Sequence, residues 1–220
     1  MDVERRNPSL DWKDGVPVAS AFGDPYYSLQ DGVAETRHVF LSGNDLPARF
    51  RDGFHVAELG FGTGLNFAVT IQAFRAAAPG RRLRYTAFEA FPLHPGDRAR
   101  ALGAFPDLPD PLPPGWDGIA PVAKPDFDLM IVPGHADATL PDWDGWADAW
   151  FLDGFAPARN PDLWTPALMA DVAAHTAPGG TFATYTAAGH VRRALAAGGF
   201  AVERIPGFGR KRHMTRGRLR

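Results

Sequence analysis

The sequence predicts an α/β fold, a mostly parallel sheet with helices on both faces. Three observations lead there. From residue 54 onward, short apolar runs alternate with helix-like segments, the order that builds parallel strands joined by crossover helices. The first run enters a glycine-rich turn, 54-FHVAELGFGTGLNF-67. A later run ends on an acid, a glycine and an aromatic residue, in 150-WFLDGFAPARNPDLWT-165.

The elements follow in order. Residues 54–59 (FHVAEL) read as a buried strand stopped by glycine, and 65–77 as the helix that leaves the glycine turn. Strand candidates continue at 83–89 (LRYTAFE), 127–132 (FDLMIV), 147–152 (ADAWFL), 181–186 (TFATYT) and 200–205 (FAVERI). Helices are expected at about 95–102, at 162–176 and at 188–197. The helix at 162–176 is expected to start from Asn160-Pro161 as cap and first turn, and to stop before Pro178-Gly179-Gly180. Between 103 and 146 many prolines and aspartates, with Lys124 the sole Lys or Arg, indicate irregular connection around one or two short elements. Neither internal repeats nor a Ser/Gly-rich linker divide the chain. Residues 1–50 are read as an N-terminal extension packing on a core formed by 51–220.

Composition narrows the function classes. With 220 residues, 45% of them hydrophobic, the chain has enough apolar material for one domain with a sizeable core. It contains no cysteine, which excludes disulfides and cysteine-based zinc sites. No run approaches the ~18 apolar residues that read as a membrane span, and the start, MDVERRNPSLDWKDG, is too charged for a signal-peptide core. A cytoplasmic protein without membrane contact is expected. The net charge of −2 conceals an asymmetry: residues 191–220 hold nine Lys or Arg against Glu203 alone. A basic end on an acidic body marks either contact with a polyanion or a solvated surface.

The glycine turn points to a ligand. Gly60 and Gly62 permit backbone angles closed to other residues and close approach of a ligand, and Gly64 lets the next helix pack near the strand. The pattern G-F-G-T-G departs from the dinucleotide G-x-G-x-x-G. Glu58, two residues ahead, suits a cationic ligand better than a pyrophosphate. Glu89, at the end of the second strand, is placed to accept from ribose hydroxyls. A ligand with a ribose, a carboxylate and a positive centre is S-adenosyl-L-methionine. Asp153 would emerge at the same carboxyl edge of the sheet, with Phe155 projecting towards whatever is bound; the alternative makes them a helix cap and a core residue. An acid beside an aromatic suits an amine held against a methyl donor.

ELGFGTGLNF and WFLDGFAPARNPDLWT together resemble the tRNA 5-methylaminomethyl-2-thiouridine methyltransferase family, whose members occur alone or as the N-terminal half of a bifunctional protein with an FAD-dependent oxidoreductase. Further similar stretches are 22-FGDPYYS-28, 35-ETRHVFLSGNDLPARF-50, 88-FEAFPL-93, 184-TYTAAGHVRRAL-195 and 206-PGFGRKRHM-214, so the resemblance covers nearly all of residues 20–214. It implies a class I S-adenosylmethionine-dependent methyltransferase fold, Rossmann-like, with a seven-stranded sheet whose last strand is antiparallel. It also implies methyl transfer to the amine of 5-aminomethyl-2-thiouridine at the tRNA wobble position.

Carried over by residue, the resemblance gives Glu58, Gly60, Gly62, Gly64 and Asn66 to the methionine end of the cofactor and Glu89 to the ribose. Asp153 and Phe155 face the target base, and Tyr26 and Tyr27 stand near the cofactor pocket. The basic GFGRKR, with Arg210, Lys211 and Arg212, lies on the side of the anticodon stem-loop. The family's adenine-side acid, in a G-D-A pattern, is replaced by His135 in 134-GHADATLP-141, so His135 itself, Asp137 or backbone groups hold the adenine. Neither a metal nor FAD is expected, and a separate FAD-dependent oxidoreductase would act upstream. Two other classes remain: a methyltransferase for a small amine, which would not need the basic end, and a non-catalytic RNA-binding protein, which would not need the acids.

Overall fold

The computed structural model describes residues 7–28 and 31–220. A small antiparallel sheet comes first, formed by β1 (Leu10–Lys13), β2 (Val16–Ala19) and β3 (Asp24–Pro25). Its first turn is Asp14-Gly15, both at positive φ (50° and 80°), the two-residue geometry that matches strand twist. Helix α1 (Gly32–Thr36) follows, capped by Asp31, whose Oδ1 accepts from Ala34 N–H at 2.8 Å, and runs on through a wider turn to Leu41. Val39, Phe40, Leu41 and Leu46 are buried in the same cluster as the central strands, so this N-terminal segment shares the main core.

The main sheet contains β4 (His55–Leu59), β5 (Leu83–Glu89), β6 (Val122–Ala123), β7 (Phe127–Pro133), β8 (Ala147–Leu152), β9 (Thr176–Thr184), β10 (Phe200–Pro206) and β11 (His213–Leu219). Their order is β10-β11-β9-β8-β4-β5-β7-β6. The pairs from β7 to β9 through the centre are parallel, and β11 is antiparallel to both β9 and β10. Seven strands thus follow the expected arrangement. The eighth, β6, is a two-residue antiparallel addition to β7 within the proline-rich stretch. β4 is buried at every position, as befits a parallel strand covered on both faces.

Alternation along β4 separates two cores. Val56 points towards α1 and α2 (Leu65–Ala77), with Phe67, Phe74, Tyr85 and Phe151. Ala57 and Leu59 point to the opposite cluster with Trp150, Leu168, Val172 and Leu195. That second face is covered by α4 (Ala136–Thr139), α5 (Pro166–Ala174) and α6 (Gly189–Ala197). Helix α3 (Pro95–Leu102) carries the buried Arg98, which pairs with Asp110 at 2.9 Å and lies over Trp116. Trp116 in turn packs edge-on against Phe61 of the glycine loop, so the irregular stretch braces the site.

Three local readings need correction. The helix expected over 162–176 is a 3-10 turn (Pro161–Trp164) followed by α5, because Thr165 is extended at φ −70°, ψ 152°. A residue before proline is driven out of the helical region, and Pro166 follows it. Asn160 makes no side-chain cap; Thr165 does, its Oγ1 accepting from Leu168 N–H at 3.2 Å. Thr165→Ala is expected to lower stability by ~1 kcal/mol, read as a drop in thermal midpoint. The strand expected at 181–186 begins at Thr176 and passes through Pro178-Gly179-Gly180 as a bulge, since Ala147 pairs with Thr176 but Ala149 with Thr181. β11 was not among the strand-like runs, its alternating arginines masking it.

Candidate active site

The carboxyl ends of β4, β5 and β8 open into one cavity of about 1190 Å³. Gly60, Gly62 and Gly64 all adopt positive φ (78°, 53° and 78°), which explains why the chain uses glycine three times in five residues. A Cβ on Gly62 would come within 3.0 Å of the Tyr26 ring, and one on Gly60 within 3.8 Å of Gly154 Cα. The glycine loop therefore approaches both the N-terminal segment and the Asp153 turn at close range.

Glu89 fixes that loop. Its Oε2 accepts the N–H groups of Phe61 and Gly62, each at 2.9 Å, and its Oε1 accepts that of Phe91 at 2.7 Å. The carboxylate lines the cavity and keeps lone pairs for a ligand's hydroxyls. Tyr26, whose hydroxyl burial and the nearby Glu89 hold in its neutral form, closes the loop from the other side.

Asp153 stands where β8 ends, followed by Gly154 at φ 111°. Its Oδ1 accepts from Gly154 N–H at 2.8 Å and its Oδ2 from Asn66 Nδ2 at 2.7 Å. Burial pushes its carboxyl up to about 6, against the opposing pull of those two hydrogen bonds. Phe155 stacks on Phe22 (centroids 4.6 Å apart) and meets Tyr26 edge-on at 5.2 Å. Asp24 Oδ2 accepts from Ala156 N–H at 2.9 Å, and Arg159 donates to Phe22 O at the same distance, so residues 22–24 are tied to this loop. On the far wall, Tyr185 donates to Gly154 O at 2.8 Å, and Lys211 lies 4.0 Å over the Tyr185 ring while pairing with Glu35 at 2.8 Å.

The donor set fits S-adenosyl-L-methionine. Glu89 offers carboxylate oxygens to the cavity beside the glycine loop, and Phe91 and His135 pack edge-on (5.4 Å) on the same wall as the exposed Asp137. A family of S-adenosyl-L-methionine-dependent methyltransferases matches residues 116–220. The tRNA 5-methylaminomethyl-2-thiouridine biosynthesis bifunctional protein MnmC of Chromobacterium violaceum is 46% identical over 224 residues, covering 94% of this chain and 34% of that protein. MnmC of Caulobacter sp. is 47% identical over 223 residues, covering 92% and 37%. The chain belongs to the MnmC methyltransferase family.

It spans about a third of the length of these MnmC relatives. The crystal structure of MNMC2 from Aquifex aeolicus shares the fold, with a TM-score of 0.76 at 24% identity over 99% of this chain and 72% of that one. Against the MnmC resemblance, the cavity gathers Gly60, Gly62, Asn66, Glu89, Tyr26, His135, Asp137, Asp153 and Phe155, with Arg210 and Lys211 at its mouth. Glu58, Gly64 and Arg212 are not on its wall. Glu58 is fully buried behind Asn66, which donates to its Oε1, while Tyr85 donates to its Oε2, each at 2.7 Å. Burial, and then the neighbouring Asp153, push the Glu58 carboxyl well above its ordinary range. Lys211, expected on the RNA side, is engaged with Glu35.

Residue-by-residue reading missed Phe22, Glu35, Phe91 and Tyr185, all on the wall. Each lies inside a stretch that carried the family resemblance, but no spacing rule picks out which aromatic faces inward. Part of the basic end is also paired: Arg216 reaches Glu203 at 3.0 Å, and Arg218 reaches Asp45 at 3.1 Å. Among the described residues no helix is long and apolar enough to cross a membrane.

Proposed function

We propose that this chain methylates the primary amine of 5-aminomethyl-2-thiouridine at the wobble position of tRNA, using S-adenosyl-L-methionine. The observation that carries the reading is the meeting of the glycine loop and Glu89 with Asp153 and Phe155 in one cavity, in a chain 46% identical to a protein named for this nucleoside's biosynthesis. Bound S-adenosyl-L-methionine supplies an electrophilic methyl carbon. The chain's own work is then positioning, which can account for several kcal/mol of a barrier. Asp153 orients the amine and stabilises the ammonium that forms. With its carboxyl at about 6 it is too weak a base to strip an alkylammonium efficiently, so orientation comes first. Gly60, Gly62 and Glu89 hold the donor, with Tyr26 over the loop and His135 and Asp137 at the adenine end. The buried Glu58 supports this set from behind.

Phe155, Phe22 and Tyr26 pack on one another in the cavity wall, and this aromatic cluster offers ring surface to a base turned out of a single-stranded anticodon loop. Arg210 and Arg212, exposed at and beside the mouth, suit the flanking phosphates. The aminomethyl group must be supplied by an oxidative enzyme, which we place on another FAD-dependent polypeptide or elsewhere on a longer one. An activity on tRNA puts the chain in the cytoplasm.

The test is direct. Purified chain, S-adenosyl-L-methionine and tRNA carrying 5-aminomethyl-2-thiouridine should give the methylaminomethyl nucleoside on digestion and mass spectrometry. Methylation of free small amines with no product on tRNA favours a small-molecule enzyme, and tRNA binding with no transfer to either favours a non-catalytic binder.

A second expected result concerns the basic turn. Replacing Arg210, Lys211 and Arg212 together by Ala should weaken tRNA binding and leave S-adenosyl-L-methionine binding intact. The slope of log affinity against log salt should fall by ~0.7–0.9 for each lost phosphate contact. Because Lys211 is paired with Glu35, Lys211→Ala alone should leave the slope at its wild-type value. A triple variant with an unchanged slope removes this turn from the RNA surface.

A further inference from the structure

We infer that Asn66 is a positioning residue: one side-chain amide locks the Asp153 carboxylate to the glycine loop, and so fixes the acceptor-orienting acid relative to the methyl-donor site. The inference rests on the reading of Asp153 given above. Asn66 Nδ2 lies 2.7 Å from Glu58 Oε1 and 2.7 Å from Asp153 Oδ2. An amide nitrogen carries two hydrogens, so both are used and none is left for a bound carboxylate. Its Oδ1 accepts from Thr36 Oγ1 at 2.7 Å. Turning the amide over would set its oxygen against the Asp153 carboxylate and break the hydrogen bond from Thr36, so these contacts fix the orientation. Asn66 is the second residue of α2, directly after Gly64-Leu65, and any shift of the loop carries the Asp153 partner with it.

The charges around Asp153 show why this hydrogen bond matters. Glu35 from α1 opposes its ionisation, while Asp153 in turn raises the carboxyl of Glu58 on β4 and the hydroxyl of Tyr185 after β9, which Asp24 and Glu35 raise as well. Lys211 from the turn before β11, Gly154 N–H and Asn66 Nδ2 favour the carboxylate. Asn66 supplies the sole side-chain hydrogen bond among these. Removing it should raise the affinity of Asp153 for its proton and release the carboxylate from α2.

The experiment follows the Asp153 carboxyl by carbon-13 NMR titration of unliganded, aspartate-labelled protein, the signal being assigned by its loss in Asp153→Ala. Asn66→Ala should raise proton affinity at Asp153 at least about tenfold, the effect of one pKa unit. The acid limb of kcat/KM should move to higher pH with it, while calorimetric binding of S-adenosylhomocysteine stays within about threefold of wild type. A titration midpoint equal to wild type overturns the inference. A large loss of S-adenosylhomocysteine affinity overturns it as well, since Asn66 would then be a ligand contact. Should the alanine variant not fold, Thr36→Val removes the hydroxyl that orients the amide. A rise in the Asp153 midpoint then supports the inference, and an unchanged one overturns it. The titration needs no tRNA, so it stands or falls apart from the choice of acceptor.

Discussion

Asp153→Ala should lose methyl transfer by on the order of 10²–10³-fold, the loss typical of one preorganised electrostatic stabiliser, while still binding S-adenosyl-L-methionine. Asp153 sits on the β8 side of the cavity, with Phe155 and Tyr185, rather than beside Glu89 at the end of β5. In the proposed mechanism its removal takes away the acceptor for the amine and the charge that steadies the ammonium product, not the donor's seat. Single-turnover rates and donor calorimetry separate the two, and wild-type turnover in the variant would remove Asp153 from the mechanism. The pH dependence has a definite sign. The acceptor amine must be neutral, so log kcat/KM rises with pH at a slope of one below the amine's own pKa. Asp153 must be ionised, and its folded-state value is raised to about 6 by burial. Below about pH 6 both groups are protonated in the wrong sense and the slope should steepen towards two. In Asp153→Ala the residual rate should keep a slope of one throughout. Asn is a poor substitute, because both carboxylate oxygens accept N–H groups and an amide would turn its own N–H against one of them.

The sheet was legible because hydrophobic runs bounded by glycine leave few alternatives: β5 and β8 fall on the residues read as strands, and α2 and α3 on those read as helices. What escaped had a local signal overruled or unread. Asp14-Gly15 is a hairpin turn pair, and its flanks, LDWK and VPVA, are too short to read as strands alone. Pro178-Gly179-Gly180 is a stop signal for a helix, yet here the same residues form a strand bulge. In the site, the acids Glu58, Glu89 and Asp153 could be picked out by their spacing from the glycines. Their partners could not. Whether Asn66 serves a ligand or bridges two carboxylates depends on the distance between β4 and β8, and Lys211 meets Glu35 from 176 residues away. Charge alone makes Lys211 look like an RNA contact; only the packing of the β10–β11 turn on α1 removes it from that set.

Glu89→Ala should act the opposite way to Asp153→Ala and weaken the donor first. If Glu89 accepts from the ribose, a hydrogen bond to a charged acceptor is worth ~1.5–3 kcal/mol, roughly ten- to a hundredfold in affinity. The structure adds a second effect. The same carboxylate holds Phe61, Gly62 and Phe91 N–H groups, so alanine leaves three backbone donors without their acceptor and loosens the loop itself. Thermal stability should fall along with affinity. The two contributions separate in a cycle that pairs the mutation with S-adenosylhomocysteine lacking its ribose hydroxyls. With a direct ribose contact, the deoxygenated ligand binds wild type more weakly than S-adenosylhomocysteine does, whereas Glu89→Ala discriminates little between the two. If Glu89 acts only by pinning the loop, the mutation weakens both ligands by the same factor and the coupling vanishes. A donor dissociation constant identical to wild type would exclude both roles, because neither a ribose acceptor nor the clamp on the Phe61–Gly62 turn can be deleted without cost.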